Sequence, residues 1–343
     1  MFSRSVTRAA RNVRVAPVVA RSVRPFTNSV RQSEPVPEVV AATEVKHSSY
    51  AAGSVERSTI KVDQSAVESS GPLNHTTYSS LPPTMQKYAL VNKVVVVTGG
   101  ARGLGYNMAQ ACIEAGAKAL IILDANSQTG EEAVASLHKF AGLTVPVAFF
   151  NVDVRDENAI NESINAVVQA YGVPDVLINS AGIADSNIPA EKYDTTMFRR
   201  LIDINLNGTF LMAQAVGKHM IEAKKGGSMV FIASMSGGIV NYPQEQSCYN
   251  ASKAGVIQLG KSLAAEWAKF GIRVNMISPG YMDTALNNVP ALDAQKKIWK
   301  SLTPQNRLGA VDDLNGLAVL LASDASAFMT GSNVIIDGGY TLY

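Results

Sequence analysis

Tyr249 and Lys253 stand four residues apart in YNASK, behind a loop rich in Ser, Gly and Pro. On a helix, residues i and i+4 share a face. A free phenol titrates near pH ~10, too high for an effective base near neutrality. An ammonium beside it favours the phenolate and lowers that value. The pair can then give or take a proton at a carbonyl or alcohol oxygen. Spacing alone does not separate this from two polar residues on a solvated helix. A hydroxyl that holds the substrate oxygen would complete the set. Ser234 and Ser236, in the run SMVFIASMSG (228–237), compete for that role.

A second cluster lies upstream. TGGARGLG (98–105) follows an apolar run and opens a helical one. Gly99, Gly103 and Gly105 let the backbone turn tightly and approach a pyrophosphate, whose charge a helix N-terminus favours. Arg102 and Leu104 belong to the same turn. The spacing is not the GxGxxG of the common dinucleotide fingerprint. Asp124 ends the next apolar run, where a carboxylate can accept hydrogen bonds from ribose hydroxyls and repel a 2′-phosphate. That favours NAD. Arg102 argues for NADP, because a cation in the turn could pair with that phosphate. Hydride transfer to or from a nicotinamide needs one proton moved as well, which is the task of Tyr249.

These residues need a frame. From residue 93 the chain alternates short β-branched runs with longer amphipathic stretches: KVVVVTGG, ALIILD, VAFFNVDV, DVLINSAG, SMVFIASMSG, IRVNMISPG and NVIID. Apolar runs separated by helices belong in a parallel sheet covered on both faces. Right-handed crossovers give an α/β doubly wound Rossmann-type fold, a single domain with seven strands. Its ligands sit beyond the carboxyl ends of the strands, where the unusual residues fall.

TGGARGLG, NSAG (179–182), the Ser234 region, YNASK and SPG (278–280) follow in the order and spacing of the short-chain dehydrogenase/reductase family, and the chain resembles that family over 87–343. NSAG departs from the usual NNAG by a small polar Ser180. The resemblance implies an NAD(P)-dependent oxidoreductase. It places Asp153 and Val154 by the adenine, and Asn179, Ala181 and Gly182 along the ribose and in support of the sheet. Pro279, Gly280 and Thr284 would contact the nicotinamide half, and Lys253 the nicotinamide ribose. By strand position it favours Ser234 over Ser236 as the catalytic serine. Asn205, in DINLNGTF (203–210), matches an asparagine that kinks a helix and holds a water in a proton relay through the lysine. Family members are commonly homodimers or homotetramers.

SMSGGIVNYPQEQSCYNASKAG (234–255) is most similar to the branch that handles sugar alcohols and ketoses, such as mannitol, sorbose, xylulose and arabinitol. Asn241, Gln244 and Gln246 could hydrogen-bond a polyhydroxylated chain or equally be solvated loop residues. Residues 290–309 are expected to form a mobile lid. The expected reaction interconverts a secondary alcohol and a ketone. The alternatives are a ketoreductase for a non-sugar carbonyl and a nucleotide-binding subunit without chemistry.

Bulk properties set the remaining limits. The 343 residues are 47% hydrophobic and 17% charged, which allows a large core and argues against global disorder. Net charge is +2, but residues 1–31 carry seven Arg and no acid, so the remainder is net negative. That sets a nucleic-acid partner aside and leaves a small-molecule substrate. Two distant cysteines argue against a disulfide framework, and four scattered histidines make no metal site. No apolar stretch is long enough to predict a membrane span. Residues 1–31 are Arg-rich, acid-free and amphipathic, the pattern of a mitochondrial transit peptide, with the matrix as destination. Residues 32–86 read as a flexible linker before the folded unit, 87–343.

Overall fold

The computed structural model describes residues 71–142, 144–284 and 290–343. The expected transit peptide (1–31), residues 32–70 of the expected linker and residues 285–289 lie outside the described residues.

Each β-branched run forms a strand: β1 Val94–Thr98, β2 Ala119–Asp124, β3 Val147–Asn151, β4 Val176–Asn179, β5 Gly227–Ile232, β6 Ile272–Pro279 and β7 Asn333–Ile336. They pair in parallel in the order β3-β2-β1-β4-β5-β6-β7. The helices are α1 His75–Ser80, α2 Pro83–Gln86, α3 Gly103–Glu114, α4 Ser127–Ala141, α5 Glu157–Tyr171, α6 Thr195–Ile202, α7 Gly208–Glu222, α8 Ser247–Trp267, α9 Asp293–Leu302 and α10 Asn315–Ala322. Short polar side chains start several of them. Asn126 accepts from Thr129 N ahead of α4, and Asp156 accepts from Asn158 N and Ala159 N ahead of α5.

Alternation along the strands divides the core between two faces. Val95, Val97, Leu120 and Ile122 pack with Met108 of α3 and Leu321 of α10. Val94, Val96, Ile121 and Leu123 pack with α5, α7 and α8 through Ile160, Val216 and Leu263. Each such side chain, fully buried, contributes about 1.5–3 kcal/mol.

Residues 75–86 correct the expected linker, because they form α1 and α2. Leu73 N donates to Glu114 O at 3.0 Å, and Ala325 N to Lys87 O at 3.0 Å. Neither helix buries a residue, so neither leaves a hydrophobic period in the sequence. The stretch expected as a lid contains α9, anchored by the buried Trp299.

The chain runs outward in opposite directions from the centre of the sheet, with β1 between β2 and β4. That reversal opens a crevice beyond the strand ends. Thr98, Asp124, Asn179 and Pro279 end β1, β2, β4 and β6, and Ser234 lies just past β5.

Candidate active site

Gly99 leaves β1 with φ +61°, and a Cβ there would sit 2.8 Å from the backbone of Ala181. Gly105 is buried against the Gly99 carbonyl, leaving no room for a side chain. Gly103 has φ +57°, but nothing lies within 4 Å of where a Cβ would stand, so the turn is open there. Arg102 precedes α3 without a side-chain cap, and no acid stands in the first turn. Its side chain is exposed, and Leu104 packs partly against the core. Free N–H groups at a helix start, beside an open glycine turn, fit an anionic pyrophosphate. Asp124 closes the site from β2, accepting from Ala101 N at 3.3 Å and Asn126 N at 3.1 Å.

The other half is built on β5 and α8. Ser234 caps the short turn Met235–Gly237, its Oγ accepting from Ser236 N at 3.1 Å. The Ser234 and Ser236 hydroxyls lie 3.1 Å apart. Tyr249 stands in the first turn of α8, with Ser234 as its hydrogen-bonding partner. Lys253, one turn later, is buried. Its Nζ donates to Ile232 O at 2.8 Å and lies 5.7 Å from the Tyr249 ring centroid.

Burial pushes the Tyr249 phenol up, while the Ser234 hydrogen bond pulls it down. Burial pulls the Lys253 ammonium down to about 8. The phenol is therefore raised rather than lowered in this structure, with burial the main cause. The Lys253 ammonium, held by the Ile232 carbonyl, remains the nearby cation that favours a phenolate.

Asn205 sits in a π-helical turn, Asp203–Asn207, between α6 and α7, which supplies the expected kink. Its Nδ2 donates to Ile183 O at 2.9 Å and to Ser252 Oγ at 3.0 Å, and its Oδ1 accepts from Ile183 N at 2.9 Å. The amide thus ties the loop after β4 to α8, beside Lys253. Ser252 was not singled out by sequence, although it lies within YNASK.

Asn241, Gln244 and Gln246 are buried and bond to one another rather than facing an open site. Asn241 Nδ2 and Gln244 Nε2 each donate to Tyr281 Oη at 2.9 Å. Trp299 Nε1 donates to Gln244 Oε1 at 3.1 Å. The Tyr281 and Trp299 rings stack with centroids 4.2 Å apart. The expected role of Asn241, Gln244 and Gln246 as substrate ligands is corrected: they are buried, and their polar atoms are matched internally and by Tyr281 and Trp299. Tyr281 and Trp299 were missed by sequence reasoning. The only signals were an aromatic directly after SPG and an indole in an otherwise polar helix.

A turn for pyrophosphate next to a Ser, Tyr and Lys cluster describes a nicotinamide-dependent oxidoreductase, and the comparisons agree. Residues 99–341 match the family model described as Enoyl-(Acyl carrier protein) reductase. A solved short-chain type dehydrogenase/reductase from Mycobacterium marinum is 34% identical, with TM-score 0.72, covering 76% of this chain and 100% of that one. The chain belongs to the short-chain dehydrogenase/reductase family. An NADP-dependent mannitol dehydrogenase of Hypocrea jecorina is 42% identical over 257 residues, 74% of this chain and 94% of that protein. A sorbose reductase of Schizosaccharomyces pombe is 39% identical over 254 residues, 74% of this chain and 97% of that protein.

In this short-chain dehydrogenase/reductase the other expected residues fall as follows. Asn179 is buried, accepting from Thr98 Oγ1 at 2.8 Å and donating to Thr209 O at 2.9 Å. Its side chain therefore supports the sheet and has no free polar atom for a ribose. Ala181 N donates to Thr98 Oγ1 at 3.1 Å. Both Asp153 oxygens are engaged by the Arg155 guanidinium, which holds this carboxyl below its usual range. An adenine contact would have to share it. Val154 is buried and packs where a Cβ on Gly208 would fall. Pro279 ends β6, Gly280 N donates to Ile336 O at 2.9 Å, and Thr284 N donates to Met282 O at 3.0 Å.

Proposed function

We propose that this oxidoreductase interconverts a sugar alcohol and its ketose, with Tyr249 as the acid and base. The observation that carries the reaction is the meeting of Ser234, Tyr249 and Lys253 beyond the strand ends that also carry the glycine turn. The mannitol and sorbose enzymes among its relatives support a polyhydroxylated substrate.

A bound nicotinamide dinucleotide supplies or accepts the hydride. Gly99, Gly103, Gly105 and the start of α3 would hold its pyrophosphate, and Asp124 would hold the adenosine ribose. Tyr249 takes the hydroxyl proton in oxidation and returns it in reduction. Ser234 Oγ donates to the substrate oxygen and orients it toward the phenol. Lys253 would hold the nicotinamide ribose, and its charge would stabilise the phenolate when it forms. Asn205 keeps the loop after β4 fixed against α8. We place NAD before NADP on the strength of Asp124, whose carboxylate repels a 2′-phosphate. The NADP dependence of the mannitol dehydrogenase and the exposed Arg102 favour the other cofactor.

A panel of polyols and ketoses with NAD(H) and NADP(H), on wild type and Tyr249→Phe, tests these assignments. The expected result is turnover of at least one sugar pair and a loss of about 10²–10⁴-fold in Tyr249→Phe, with cofactor binding kept. Full activity of Tyr249→Phe would falsify the mechanism. One observation favours a second reading, a ketoreductase for a non-sugar carbonyl: the three amides expected to read hydroxyls are engaged with each other. Turnover of simple ketones alone would decide for it. We further propose a homodimer or homotetramer, and mitochondrial targeting by residues 1–31. Imaging with and without those residues tests the targeting, and identical diffuse signals would reject it.

A further inference from the structure

Behind Ser234 the hydrogen bonds continue without a break into the amide network. Gln246 is buried. Its Nε2 faces three oxygens: Asn241 Oδ1 at 2.8 Å, Asn250 Oδ1 at 2.9 Å and Ser236 Oγ at 3.3 Å. An amide nitrogen has two protons. The two short contacts take direct bonds, and Ser236 shares one of those protons. Its Oε1 accepts from Gln244 Nε2 at 3.2 Å, which pins the amide so that only N–H faces the serine.

That polarity has a consequence for the hydroxyls. Ser236 Oγ receives the Gln246 N–H on one side and the Ser234 hydroxyl, which donates to it at 3.1 Å, on the other. Ser234 Oγ also accepts from Ser236 N. Ser236 thus holds Ser234 Oγ by two contacts, an N–H that it gives and a hydroxyl proton that it receives. A hydroxyl held in one place beside Tyr249 is what a substrate oxygen needs. Matched chains of this kind in a low-dielectric interior are stiff and orient one another.

We propose that Gln246 and Ser236 are positioning residues that hold the Ser234 hydroxyl in place beside Tyr249, where the substrate oxygen must bind. They act through Ser234 and touch no reacting atom. The proposal rests on the reading of Ser234 as the group that holds that oxygen.

Kinetics on the best secondary alcohol or ketone turned over by wild type test it, with cofactor affinity followed by NAD(P)H fluorescence. Ser236→Ala is expected to lower kcat about tenfold, the worth of one ordinary hydrogen bond, with cofactor affinity unchanged. Ser236→Thr, which keeps the hydroxyl, is expected to restore most of it. Gln246→Leu is expected to match Ser236→Ala, and the double variant to be no worse than either, because both interrupt one chain. Should Gln246→Leu fail to fold, the Ser236 pair still decides. Wild-type kcat in Ser236→Ala, equal losses in Ser236→Ala and Ser236→Thr, or multiplying losses in the double variant overturn the proposal. Ser234→Ala separates the two ideas. If it alone collapses turnover, only the positioning is wrong; if it too is silent, the reading of Ser234 has failed.

Discussion

Burial acts in opposite senses on the two members of the Tyr249–Lys253 pair. It raises the phenol and lowers the ammonium to about 8, so each group is pressed toward its neutral form. At neutral pH the phenol keeps its proton and the lysine keeps most of its charge, which suits donation to a carbonyl. Reduction leaves a phenolate that the ammonium must stabilise, and that charge is lost as pH rises through about 8. The kcat/KM of ketone reduction should therefore hold through neutrality and decline above that pH. Alcohol oxidation needs the phenolate, so its kcat/KM should climb on the alkaline side. Initial rates in both directions across pH measure this. A reduction profile that rises with pH would contradict the assignment of Tyr249 as donor.

At the scale of elements, the join between β5 and α8 decides whether Ser234 meets Tyr249. Gly237 closes that join. A Cβ there would lie 2.7 Å from Ile257 Cδ1, 2.8 Å from the Lys253 carbonyl carbon and 2.9 Å from Ala254 N. Two of these are helix backbone and cannot yield. Gly237→Ala should push the loop off α8 and displace Ser234, lowering kcat on the order of 10²-fold while the glycine turn still binds cofactor. Unchanged kcat would show that this contact does not set the geometry. The elements themselves were legible because VVVV and LII runs leave little choice but buried parallel strands. TGGARGLG and YNASK were legible because a positive-φ turn and a helical i, i+4 pair are local. The amide network was not. Gln244 meets Tyr281 across 37 residues and Trp299 across 55, and nothing local distinguishes a covered glutamine from a solvated one. The Arg155 clamp on Asp153 is local, but a charged pair two residues apart is equally common on open surface.

For the molecule as a whole, one edge of the sheet is unfinished. β7 is the last strand. Ile335 on it is half-exposed, and Phe328, Leu342 and Tyr343 in the segments before and after it stand out in solvent. An edge strand flanked by apolar side chains invites a second copy. The C-terminal segment also reaches the site. Tyr340 packs edge-on to Tyr281 with centroids 5.1 Å apart and donates to Tyr242 O at 3.3 Å. Covering Leu342 and Tyr343 would therefore steady the ring that holds Gln244 and Trp299. Light scattering on wild type should give a dimer or tetramer, and Phe328→Asp with Leu342→Asp should lower the mass and raise KM for the substrate together. A monomeric wild type would reject assembly. An unchanged mass in the double variant would move the interface to another exposed apolar set, Met197, Phe198 and Phe210 on α6 and α7, and would uncouple assembly from the substrate end.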